Sequence, residues 1–129
     1  MIRSEFDKFS FDDASVEKVI RGNSSISIEF AGAFMRKEHP ESGGNDWIID
    51  QGVLHLVNVS KEVPLFWYDE TEGKVHPSPE QPLDEITNLE FNGELFEFGG
   101  FLNREPWVQW HVYATEFAIE IKGKHIVHS

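Results

Sequence analysis

From Ser24 to Arg36 the chain alternates. Ile26, Ile28, Phe30 and Phe34 share one parity, and Ser25, Ser27 and Glu29 take the other. A period of two is that of a strand with one buried face. Gly32 interrupts the apolar row and predicts a bulge. Upstream, Phe6, Phe9 and Phe11 suit a short strand over 5–11. Val16, Val19 and Ile20 then recur at i, i+3, i+4 behind Asp12 and Asp13. That spacing predicts a helix of about two turns, capped by the aspartates and stopped at Gly22-Asn23. Trp47 to Ile49 and Val53 to Val59 predict two strands joined across Asp50-Gln51-Gly52. The second is apolar on both parities, as in a central strand covered on both faces.

Asn92-Gly93 lies between alternating runs and is the strongest local signal, since Asn-Gly favours a two-residue hairpin loop. That loop would pair Phe91 with Glu94, Leu89 with Phe96 and Thr87 with Phe98. Leu89, Phe91, Phe96 and Phe98 would then share one face, with Asn88, Glu90 and Glu97 on the other. Between Trp107 and Ile121 the apolar parity flips, from Val108, Trp110 and Val112 to Phe117, Ile119 and Ile121. The flip falls at Ala114-Thr115-Glu116, where no turn residue stands. It predicts a bulge, or a strand crossing from one sheet to another. Ile126-Val127 suits a short edge strand. Residues 60–84 contain Pro64, Pro77, Pro79 and Pro82. They predict a long acidic, proline-rich loop or hairpin that projects from the body, with strands at Leu65–Tyr68 and Lys74–His76.

These elements imply a mainly β fold of the α+β type. The expected form is an antiparallel β-sandwich or open barrel of about seven to nine strands with one short N-terminal helix. At 129 residues, 1–129 form a single domain. The absence of cysteine excludes disulfides and thiolate sites. Met1 to Asp7 has no apolar stretch of the kind a secretory signal carries, and no run reaches the length of a membrane span. The expected location is the cytoplasm.

Charge changes the picture. The formal net charge is -12, with 23 acids against 11 lysines and arginines. Residues 62–103 hold ten acids and one base, Lys74. Nucleic acid and anionic membrane surfaces are excluded as partners, because phosphate binding needs clustered cations. The segment instead matches a basic protein partner. Within it, Phe66, Trp67 and Tyr68 stand directly before Asp69, Glu70 and Glu72, with Glu80, Asp84 and Glu85 following. Aromatic anchors ringed by acids suit steered docking.

No nucleophile elbow, phosphate loop, dinucleotide fingerprint or zinc-protease motif occurs. His125 and His128 have helical ligand spacing but lie in a β-forming segment, which sends them to opposite faces. No metal site and no cofactor are expected. His55 lies between Leu54 and Leu56 and reads as a core-lining histidine. Glu90 and Glu97 would lie diagonally on the outer face of the hairpin. Such paired carboxylates serve hydrolysis or cation binding, or simply keep a sheet face soluble. Trp107, Gln109, His111 and Tyr113 share a parity and would floor a small-molecule site, with His111 as general base. The expectation is therefore a non-enzymatic acidic module that docks on and neutralises a basic protein, as immunity proteins and inhibitors do. The alternative is a ligand-binding protein or enzyme built around His111, Gln109 and Tyr113. An uncovered edge strand also leaves a homodimer open.

Overall fold

Strands dominate because β-branched and aromatic residues alternate with polar ones along most of the chain. The computed structural model describes residues 1–67, 74–75, 81–102 and 107–127, with backbone alone at 66–67 and 74–75. Its strands are β1 Phe9–Ser10, β2 Ser15–Gly22, β3 Ser25–Ala31, β4 Ala33–Met35, β5 Trp47–Val57 and β6 Lys61–Trp67. They continue with β7 Lys74–Val75, β8 Glu85–Phe91, β9 Leu95–Phe101, β10 Trp107–Tyr113 and β11 Glu116–Ile126. All their pairings are antiparallel. No helix among the described residues is long and apolar enough to cross a membrane.

The strands join in one open sheet with two halves. In the first, β5 is central. β3 and β4 pair along one edge of it and β11 along the other. Gly32, at φ 86°, is the bulge that splits β3 from β4. The second half runs β8-β9-β10-β6-β7. The halves meet at one strand pair, Ser15 opposite Glu85. Three flanking bonds reinforce it: Val16 N–H to the Asp84 carbonyl (2.9 Å), Ile86 N–H to the Ala14 carbonyl (2.8 Å) and Asp13 N–H to the Ile86 carbonyl (2.8 Å). The sheet doubles over at this junction and encloses one core. Ile26, Ile28, Leu54, Leu56 and Ile119 of the first half share it with Phe96, Phe98, Val108, Trp110 and Val112 of the second. The core thus packs two inward faces against each other, and the fold is mostly antiparallel β as the alternation implies.

A polar clamp also ties the halves. Arg21 of β2 grips Glu62 of β6 through Nε (2.9 Å) and Nη2 (2.8 Å). The buried Trp110 donates its indole N–H to the same carboxylate at 3.1 Å.

Three expectations change. The short N-terminal helix is strand β2. Val16 pairs with Phe30 and Lys18 with Glu29, so Glu17 is an extra, bulged residue. One inserted residue separates the inward-facing Val16 and Val19 by three positions, which imitates a helical stripe. The only helical turn among the described residues is a 3₁₀ turn at Phe6–Lys8. Trp47 to Val57 is one continuous strand. Gly52 permits this, because a Cβ there would stand 2.8 Å from both the Glu120 carbonyl and the Phe30 ring. The hairpin keeps its faces but shifts its register. Phe91 pairs with Phe96 and Glu90 with Glu97, and the loop residues are Gly93-Glu94. Gly93, at φ 98°, takes the first loop position, and the Asn92 Oδ1 accepts N–H bonds from Glu94 and Leu95 at 2.9 Å each. The parity flip near Ala114 is a crossing: β10 ends in one half and β11 begins in the other.

Candidate functional site

On the second half, alternation turns Val108, Trp110 and Val112 into the core, each 0% exposed, and sends the intervening residues outward. Across β8, β9 and β10 the outward residues form rows. Glu90 lies opposite Glu97, and Glu97 opposite His111. The next row is Asn88, Gly99 and Gln109. Gly99 leaves room there for both neighbouring side chains. A Cβ would come within 2.2 Å of the Asn88 Oδ1 and 2.8 Å of the Trp107 ring. The indole therefore lies across the glycine and walls a shallow groove of about 260 Å³ that includes Glu90, Glu97, Gln109 and His111.

The structure thus brings Trp107, Gln109 and His111 together as the sequence implies, and adds Asn88, Glu90 and Glu97. Tyr113 stands outside the groove, 37% exposed, with the Lys61 ammonium 6.0 Å from its ring centroid. Glu90 and Glu97 are directly opposed rather than diagonal. Among the described residues no cluster of three or more histidines and acids is arranged to hold a metal ion.

Several acids have partners. Asp50 meets His125 at 3.0 Å, and Asp46 accepts the Lys37 N–H at 2.7 Å. Glu116 accepts from the Asn58 amide, and Glu62 of β6 is held by Arg21 of β2. Along β8 and β9 the side chains of Glu85, Glu90 and Glu97 are exposed and have no ion pair or hydrogen bond among the described residues. Residues 81–102 contain no lysine, arginine or histidine at all.

Of the acidic and aromatic residues singled out for docking, the backbones of Phe66 and Trp67 end β6, paired with Val108 and Trp107. Their side chains lie outside the described residues, as do Tyr68, Asp69, Glu70, Glu72 and Glu80. Asp84 and Glu85 lie at the junction of the halves, where their backbones bond β2 and β9.

A second polar cluster escaped the sequence. His55 is not a core residue but sits half-buried on the outer face of β5. Its Nδ1 is 2.8 Å from the Ser27 hydroxyl, and its Nε2 is 3.6 Å from a Glu120 carboxylate oxygen. The Nε2 atom is buried without a hydrogen bond. A cavity of about 480 Å³, lined also by Arg3, Ser25, Phe91 and Thr115, lies alongside. A serine, a histidine and an acid in series are the parts of a nucleophile relay. Acyl transfer also needs N–H donors aimed at an oxyanion. β3 is paired on both edges over this stretch, so its backbone donors are spent in the ladders. Ser27 and Glu120 therefore orient the ring. The polar parity of β3 marks Ser27, but only the β3–β5–β11 neighbourhood shows the three together.

Comparison with protein-family models, with curated proteins and with solved structures finds no match to this chain.

Proposed function

We propose that this chain is a non-enzymatic binding module that docks on a basic partner protein and neutralises the surface it covers. The observation that carries this is the opposed pair Glu90 and Glu97, set in a stretch without a cation. Like charges directly opposite on paired strands destabilise a sheet. A basic surface laid over them removes that repulsion. Asp69, Glu70, Glu72 and Glu80 extend the same charge along the sequence. Such a field steers encounter, raising the on-rate by roughly 10- to 1000-fold. Trp107, beside the pair, supplies the aromatic contact that anchors such interfaces.

The test starts with capture from the source organism's lysate at low and high salt, read by mass spectrometry. The expected result is a basic protein held in near-equal amount and weakened by salt. Glu90→Gln with Glu97→Gln should slow its association about tenfold with little change in dissociation. Charge reversal at Asp69, Glu70 and Glu72 should act in the same direction. Capture indifferent to salt and to these substitutions would reject the reading.

The groove favours a second reading, in which a small planar molecule lies against Trp107 and bonds Gln109 and His111. In that case His111→Ala abolishes a ligand's thermal shift while the fold survives, and the charge substitutions matter little.

A further inference from the structure

We propose that the open edge of β8 takes an extended segment of the partner as an added strand, with basic and apolar side chains alternating along it. This rests on the acidic docking reading and goes beyond it, to particular backbone groups. β8 pairs with β9 along its length but meets β2 only at its start. There the Ile86 N–H donates to the Ala14 carbonyl and the Ile86 carbonyl accepts the Asp13 N–H, both at 2.8 Å. Thr87 is skipped in the register, and beyond this bulge the pattern resets. Two bonds fix the new phase: Asn92 N–H to the Leu95 carbonyl (3.3 Å) and Ala114 N–H to the Glu94 carbonyl (3.1 Å). Bonded and non-bonded pairs alternate along an antiparallel ladder. Asn88 and Glu90 therefore bond β9, while Leu89 and Phe91 turn their N–H and carbonyl groups to the opposite edge. No described residue bonds those groups.

That edge borders a cleft of about 460 Å³ whose far wall is the segment from Phe6 to Asp12. Its inner side is apolar, with the Phe6 and Phe91 rings 5.8 Å apart. Exposed on its rim are Asp7, Asp12 and Glu90, against one lining cation among the described residues, Arg36. Lys8 offsets Asp7 in part, at 3.3 Å. Backbone groups aligned at a free edge are a template for another strand. Successive side chains of that strand would point alternately to the phenylalanine side and to the Glu90 side. Apolar residues suit the first and basic residues the second. A second copy of this chain would bring Asp7, Asp12 and Glu90 against themselves, so charge selects a basic partner.

The probe is a short synthetic peptide of alternating lysine and valine, titrated at low salt into isotope-labelled protein and followed by amide exchange. The Leu89 and Phe91 amides should gain protection. N-methylating the peptide residues that face β8 keeps its charge but removes its edge donors. It should weaken binding about tenfold or more, as the loss of a pair of hydrogen bonds predicts. Leu89→Pro removes one edge donor and no β8–β9 bond, and should weaken binding too. Equal binding of methylated and plain peptide, with shifts confined to Glu97 and His111, would overturn strand addition while leaving acidic docking intact. No binding would also overturn it, and the lysate capture with Glu90→Gln and Glu97→Gln then judges the docking reading alone. Edge amides already protected in a dimer by sedimentation would make the occupant a second copy, and overturn it as well.

Discussion

In the docking role proposed above, Glu90 and Glu97 would serve binding at the expense of the fold. Their carboxylates face each other across β8 and β9, and among the described residues neither has an ion pair. Glu90→Gln should therefore raise stability in low salt by about 0.2–1 kcal/mol, measured by urea denaturation, while it loosens the partner. A loss of stability would contradict the like-charge account. Gly100 makes the opposite point. A Cβ there would stand 1.9 Å from the Glu85 carbonyl, at the junction of the halves. Gly100→Ala should cost about 1–3 kcal/mol, because backbone rather than a side chain must move. Neither effect was legible in the sequence, since both depend on which strands lie side by side. The sequence places His55 in the core for a related reason. Val53, on its own face, is 6% exposed, nearly as buried as Leu54 and Leu56 opposite, so hydropathy could not tell the two sides of β5 apart.

Among the elements, those with strict alternation were legible. β3, β9 and β10 follow their patterns, β8 does so beyond its bulge at Thr87, and the Asn-Gly hairpin holds its two faces. Bulges defeated the pattern elsewhere. Glu17 shifts the phase of β2 by one residue and makes Val16 and Val19 look helical. The hairpin register moved because Asn92 bonds the loop with its side chain and Gly93 takes the left-handed position, which a dipeptide signal alone does not specify. The clamp between β2 and β6 was likewise hidden, since Arg21 and Glu62 lie 41 residues apart. Glu62→Ala leaves the buried Trp110 indole N–H without its carboxylate. It should lower stability by about 1–3 kcal/mol, and Glu62→Gln, which keeps an acceptor, by less. Equal losses would show that the carbonyl-type acceptor at this place is irrelevant.

At the scale of the whole molecule, one feature is the position of β11. It supplies the second edge of the central strand β5, from Trp47 to Val57, and its Ile119 also pairs with Ile2. β5 is complete on its β3 side early in the chain, but its other side waits for residues 116–126. Contacts this distant in sequence slow folding. During synthesis the ribosome will have released β5 well before its partner emerges. For that interval a long, mostly apolar strand stands with one edge open, the situation in which nascent chains stick to one another. A chain ended after Tyr113 should make this state permanent. It is expected to accumulate in the insoluble fraction or bound to chaperones, and adding a synthetic peptide of residues 114–127 during refolding should recover soluble, exchange-protected protein.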